Sequence, residues 1–194
     1  MNWPPRSACS RNTFEDMYRR SRDPWNFSRS EYERGRYRAT LDAMLRRSNR
    51  WAFEPGCSIG ELTAQIARRC DRVVATDVAP SAVALAYERC RGLGNVDVYQ
   101  ADLANGLPNG PFDLIVMSEV GYYFEPRVLA AIATATAAQL EPGGEFVAVH
   151  WLGHSDDHVL GGDAVHGILT AHLPLEWIKG QRHAGYRIDT WKRP

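Results

Sequence analysis

The segment that most constrains the fold of this chain is Phe53-Glu54-Pro55-Gly56-Cys57-Ser58-Ile59-Gly60-Glu61-Leu62-Thr63, followed by Val73-Val74-Ala75-Thr76-Asp77. An apolar run enters a glycine turn, a helix starts directly after it, and a second apolar run ends in an acid. This is the layout of a nucleotide-binding βαβ unit, in which parallel strands flank a helix and the ligand sits where the first strand meets the helix. It predicts an α/β protein.

Residues inside the turn separate the ligands such a unit can hold. A dinucleotide needs Gly-x-Gly-x-x-Gly, so that bare backbone presses on a pyrophosphate at the helix N-terminus. Here the middle glycine is replaced by Ser58 and the last by Glu61. A carboxylate in the first turn suits the helix dipole but repels a pyrophosphate in the same place. S-adenosylmethionine (SAM) carries no phosphate and presents two cationic groups, which suit an acid such as Glu54 at the end of the first strand. Asp77 follows Glu54 by 23 positions, where an acid accepts hydrogen bonds from ribose hydroxyls. The cofactor expected is SAM, with S-adenosylhomocysteine (SAH) as its product. A nicotinamide dehydrogenase is disfavoured.

Further pieces follow in order. Pro80 to Cys90 reads as a helix opened by Pro80 or Ser81, with apolar positions at Val83, Leu85, Ala86 and Tyr87. Val96 to Asp102 reads as a third strand ending in an acid. Phe112 to Glu119 reads as a buried fourth strand, and Leu140 to Val149 as a helix end, a turn and a fifth strand. Together with Glu54, Gly56 and Gly60, this series resembles the class I SAM-dependent methyltransferases, whose first motif is Asp/Glu-x-Gly-x-Gly-x-Gly. The resemblance implies a Rossmann-like, seven-stranded, mostly parallel sheet of order 3-2-1-4-5-7-6 with helices on both faces. It also implies a cofactor site made of Glu54, Gly56, Cys57, Ser58, Gly60, Asp77, Val78, Asp102, Leu103 and Ser118, with Asp102 aimed at the adenine amino group. Each piece has a plainer reading, as turn glycines, a solvated strand end at Asp77 and a helix cap at Asp102.

With 194 residues and 23 basic against 23 acidic side chains, the chain suits one domain: a helical cap over 1–49 and a core over 50–194. Zero net charge argues against a nucleic-acid partner. The arginines of the first fifty residues alternate with Asp16, Asp23, Glu31 and Glu33, which predicts a solvated helical face. Val128 to Leu140 is too short to span a bilayer, and the N-terminus has no signal-peptide core. The expected protein is cytoplasmic, has no membrane partner, and is a monomer or homodimer. Cys9, Cys57, Cys70 and Cys90 lack metal or disulfide spacing and read as small, mostly buried thiols.

Tyr37, Leu41, Met44 and Leu45 recur at helical spacing, so Glu31 to Arg47 is expected to be an amphipathic helix packed on the sheet. Leu175 to Arg182 and Tyr186 to Lys192 read as an antiparallel pair. With Asp23-Pro24-Trp25, Tyr32-Glu33, Glu54 to Cys57, Ser118 to Tyr123 and Gly161 to His166, the chain resembles the NodS-like family from about Phe14 to Trp191. The family's namesake N-methylates the amino sugar of a lipo-chitooligosaccharide. Gly121 stands where a bulkier apolar residue is common in that family. The resemblance implies N-methylation of a small-molecule amine, such as an amino sugar or oligosaccharide. Methyl transfer to oxygen or carbon, and a non-catalytic SAM-binding role, remain the alternatives.

Transfer from a sulfonium asks mainly for alignment and exclusion of water. An amine must also be neutral when it attacks, which favours a carboxylate, imidazole or phenol beside it. Glu119, at the carboxyl end of the fourth strand, is the first candidate to orient or deprotonate the acceptor. Tyr122 and Tyr123 form either an aromatic wall for a cation or simple packing. His150 is either a general base or a structural histidine. Tyr32 and Tyr37 either close over the cofactor or pack in the core. His158, His166 and Asp163 lack a convincing further ligand, so no metal is expected.

Overall fold

The computed structural model describes residues 10–194, so Cys9 and the start of the helical cap lie outside the described residues. Helices α1 (Arg11–Arg20) and α2 (Glu31–Ala43) precede the sheet. The core then runs β1 (Asn49–Pro55), α3 (Glu61–Ile66), β2 (Cys70–Asp77), α4 (Pro80–Cys90), β3 (Val96–Gln100), β4 (Phe112–Ser118), α5 (Pro126–Gln139), β5 (Leu140–Trp151), α6 (Gly162–His172), β6 (Glu176–Arg182) and β7 (Tyr186–Lys192). The seven strands pair in the order β3-β2-β1-β4-β5-β7-β6. β1 to β5 are parallel neighbours, whereas β7 runs antiparallel to both β5 and β6. The sheet expected from the sequence is the sheet observed.

The strands read as they do because helices cover both faces of the sheet. All seven residues of β4 are buried, the unbroken apolar run that a two-sided burial requires. Ile115 and Met117 enter the core shared with α5 and α6, where Leu129, Ile132 and Leu169 pack. Leu114 and Val116 point the other way, toward Tyr37, Leu41, Leu62 and Ile66. Each such side chain, fully buried, contributes about 1.5–3 kcal/mol. The edge strand β3 stays half exposed.

Three expectations need correction. α4 does not bury Tyr87, which is 60% exposed, but its small face of Ala82, Ala86 and Cys90. A Cβ at Gly60, where φ is +80°, would lie 3.0 Å from the Ala86 backbone, so close approach selects alanine there. α2 stops at Ala43 and not at Arg47, and Leu45 is 38% exposed. The buried Glu145 carboxylate of β5 accepts the Leu45 and Arg46 amides, drawing the chain out of the helix. Finally, the arginines of the cap are not all solvated. Arg36 is 1% exposed, and Glu33 is buried beside it.

The cap is tied down by specific bonds. Ser10 accepts from the Thr13 amide at the start of α1, and Ser30 from the Glu33 amide at the start of α2. Glu15 accepts from the Ser81 amide (2.9 Å) and hydroxyl (2.7 Å), joining α1 to the N-terminus of α4, where a carboxylate is favoured. Between the helices, Asp23 accepts from the Phe27 and Ser28 amides, and Trp25 stacks on Phe27. Cys57, Cys70 and Cys90 are buried free thiols. Among the described residues, no helix is long and apolar enough to cross a membrane.

Candidate active site

A cavity of about 390 Å3 opens over the carboxyl ends of β1, β2 and β4, where open parallel sheets place their ligands. Its floor includes Glu54, Gly56, Cys57, Ser58, Asp77, Val78, Asp102, Leu103 and Ser118. Of the predicted cofactor residues only Gly60 does not line it. Gly60 serves the packing of α4 instead. The roof comes from the cap: Phe14 and Tyr18 of α1, Trp25 and Phe27, and Tyr32, Glu33, Arg36 and Tyr37 of α2. Tyr32 and Tyr37 both reach the cavity, and Tyr37 is also buried in the core.

The glycine turn is left-handed at Gly56 (φ +70°), Ser58 (φ +51°) and Gly60 (φ +80°). A serine at such a backbone costs about 1 kcal/mol or more, which neighbouring bonds must offset. Asp77 Oδ2 accepts from the Ser58 amide at 2.9 Å, and the Tyr18 hydroxyl donates to Ser58 Oγ at 2.6 Å. The side chain that replaced glycine thus anchors the roof. Nothing in the local sequence pattern links Tyr18 to Ser58, so sequence reasoning missed it.

Asp77 Oδ1 accepts from the Ala79 amide at 2.9 Å, and burial pushes the carboxyl up to about 6. Each oxygen retains a lone pair for a further donor. Asp102 lines the cavity but also caps the short turn Leu103–Asn105, accepting from the Ala104 amide and the Asn105 side chain. The cap reading of Asp102 is the one its bonds describe. Glu61, at the start of α3, pairs with Arg89 at 2.7 Å. Glu54 differs from all of these. It is 3% exposed, and no group among the described residues satisfies its Oε2. Burial pushes this carboxyl up to about 8, against the lowering effect of the Thr63 hydroxyl. A buried carboxylate oxygen left unsatisfied is costly, and a cationic ligand relieves it.

The opposite wall is built around Glu119, which follows β4 with a left-handed φ of +60°. Its Oε1 accepts from the Trp151 amide (2.7 Å) and pairs with Arg36 Nη1 (2.8 Å), and its Oε2 accepts from the Tyr122 hydroxyl (2.9 Å). Arg36 also pairs with Glu33 and donates to Ser118 Oγ. Burial raises the Glu119 carboxyl and the Arg36 guanidinium opposes the rise. Two carboxylates share one arginine at this wall. Tyr122 packs edge-on against Tyr123 and stacks on His158, with ring centres 3.7 Å apart and planes 16° apart.

His150 is not in the cavity. It is 0% exposed; its Nε2 accepts from the Gly121 amide at 3.0 Å, and its Nδ1 lies 3.2 Å from His166 Nε2. His166 Nδ1 lies 2.6 Å from Asp189 Oδ2. Acceptance at His150 Nε2 fixes one tautomer along the chain, each Nδ1–H donating onward to the next group. Burial pushes both imidazoles down, His150 far below its ordinary value. The catalytic expectation for His150 is corrected to a structural one. The departure at Gly121 has the same cause, because a Cβ there would lie 2.6 Å from Val165 and 2.8 Å from His150 Nε2. Asp163 is bound by Arg182, and among the described residues no group of three or more His, Cys, Asp or Glu side chains could hold a metal ion.

A sheet of this order, closed by an antiparallel β7 and carrying a glycine turn and two acids at its carboxyl edge, defines a class I methyltransferase fold. The model of the family described as Nodulation protein S (NodS) matches residues 11–175, and the chain belongs to that family. Nodulation protein S of Sinorhizobium fredii is 34% identical over 131 residues, 64% of this chain and 59% of that protein. Its counterpart in Rhizobium tropici is 30% identical over 162 residues, 78% of this chain and 66% of that one. The chain thus spans about three fifths to two thirds of the length of these curated relatives. The crystal structure of N-methyltransferase NodS from Bradyrhizobium japonicum WM9 in complex with SAH superposes with a TM-score of 0.82 at 25% identity, covering 94% of this chain and 99% of that one. A solved structure from Pseudomonas syringae gives a TM-score of 0.76 at 36% identity, over 84% of this chain and 100% of that one.

Proposed function

We propose that this chain transfers the methyl group of SAM to the nitrogen of a small-molecule amine, an amino sugar being the acceptor to test first. The observation that carries the reading is Glu54 Oε2, a buried carboxylate oxygen without a partner in the cavity of a chain of the NodS family. It fits a cofactor with cationic groups and no phosphate. When bound, SAM supplies a methyl on a positively charged sulfur, an electrophile that needs no further activation.

The chain's own residues supply the rest. Glu54 holds a cationic group of the cofactor, Asp77 accepts from its ribose hydroxyls, and Asp102 and Leu103 border its base. The wall of Glu33, Glu119 and Tyr122 attracts a cationic acceptor and sets its direction, through the remaining lone pair of Glu119 Oε2. The aromatic roof excludes water, so these charges act in a medium where they are strong. With it goes the reading that residues 1–194 form one domain acting in the cytoplasm as a monomer or homodimer on a small molecule, without a nucleic-acid or membrane partner.

The test is methyl transfer from labelled SAM onto glucosamine and glucosamine-containing oligosaccharides, with the modified atom located by mass spectrometry. Label on nitrogen is the expected result. Label on oxygen or carbon would replace the acceptor class, and SAM binding with no transfer to any acceptor would leave a binding protein.

A further inference from the structure

An ammonium acceptor has no lone pair, so an N-methyl transfer at neutral pH needs a group that removes a proton beside the acceptor. The two groups expected to do so are committed elsewhere. Each oxygen of Glu119 already accepts from Arg36, Trp151 or Tyr122, and His150 lies behind the wall with both ring nitrogens bonded. A third group lines the cavity uncommitted. His158 sits on the loop after β5, and its side chain is 9% exposed. Its ring is stacked on Tyr122, and the Val159 and Leu160 amides after it both donate to the Tyr122 carbonyl. The loop is therefore fastened to the same turn that carries Glu119 and Tyr122. Among the described residues no hydrogen bond reaches either ring nitrogen of His158. Asp157 Oδ1, which accepts from Ser155, stands 3.8 Å from its Nε2.

We infer that His158 is the general base of the transfer, taking the proton of the bound ammonium acceptor. The inference rests on the methyltransferase reading. The N–H bond breaks toward nitrogen, its electron pair becomes the lone pair that takes the methyl, and the electrons of the broken S–C bond stay on sulfur. The proton moves to a His158 ring nitrogen and leaves to water after transfer. The groups facing the imidazole are Asp157 and His154 from its own loop, Tyr122 and Tyr123 from the turn after β4, and Trp151 at the end of β5, with His150 behind Tyr122. Desolvation and His154 lower the imidazole below its ordinary value while Asp157 opposes them. It is therefore neutral, and able to accept, at neutral pH.

The experiment is the pH profile of kcat for amine methylation by the wild type and by His158→Gln, with SAM affinity measured alongside. The wild type should be flat at neutral pH and fall on acidification, with the midpoint of the fall below the ordinary histidine value of about 6.5. In the variant the rate at pH 7 should drop about 100-fold, the range of a lost general base. Its rate should then climb with pH as free amine accumulates, with SAM affinity unchanged. An unaltered profile, or an equal loss at every pH, overturns the assignment. Should the variant fail to fold, the wild-type profile decides: a rate that climbs steadily through pH 5 to 9 without a plateau excludes a histidine base. A wild type that binds SAM but methylates no amine overturns the underlying reading and the inference with it.

Discussion

Two carboxylates at the ends of neighbouring strands do different work at the scale of single residues. Asp77 is satisfied by the Ser58 and Ala79 amides before any ligand arrives, whereas Glu54 Oε2 has no partner. Asp77→Ala should weaken SAM binding by about 1–3 kcal/mol, the cost of lost charge-assisted hydrogen bonds. Unchanged affinity by titration calorimetry would remove Asp77 from the ribose site. Glu54 has a pH signature in the ligand-free protein. Its folded value, about 8, lies above the ordinary 4.5, so between those values the folded state binds the extra proton. Its contribution is present at low pH and is lost as pH rises toward 8. From pH 6.5 to 8.5 the wild type should lose about 2 kcal/mol more than Glu54→Gln in urea denaturation. Parallel stability curves would show that the Glu54 carboxyl titrates normally. Both acids were legible in the sequence because each ends an apolar run. Tyr18 was not, since its partner Ser58 lies 40 residues away and no local pattern connects them.

The elements were legible where a period or a breaker marks them, and misread where a distant charge decides. The spacing of Tyr37, Leu41 and Met44 gave α2 its buried face, but its end at Ala43 depends on Glu145, about a hundred residues on. Arg36 reads as one more cation in an arginine-rich run, yet it carries the dock of α2 against the cavity wall, its partners Ser118 and Glu119 lying far along the chain. Arg36→Met should destabilise the fold by about 3–5 kcal/mol, because two buried carboxylates lose their cation. An unshifted denaturation midpoint would show that Glu33 and Glu119 do not need it. The turn after β4 is held just as firmly from the far side by the chain of His150, His166 and Asp189. Gly121→Ala forces a methyl against Val165 and His150 and should cost about 1–3 kcal/mol as overpacking. A variant as stable as the wild type would mean that this turn yields readily. His150 was singled out from sequence because it ends a strand at the right edge, but strand position does not reveal which face of the sheet a side chain enters. His158 lies in a loop without period and could be placed only by the structure.

For the molecule as a whole, order and spacing across the chain carried most of the fold, because a glycine turn, two strand-end acids and a closing antiparallel pair suit very few sheet topologies. What they did not carry is the part of the roof that comes from α1 and the loop after it. Phe14, Tyr18, Trp25 and Phe27 close the cavity from the cap, and the bonds of Tyr18 to Ser58 and of Glu15 to Ser81 join the cap to the core on the cofactor side. If the cavity that holds the unsatisfied Glu54 oxygen is a SAM site, calorimetric titration of the purified protein will show micromolar binding of SAM and SAH and none of NAD. Absence of SAM binding, or preference for NAD, would rule that site out.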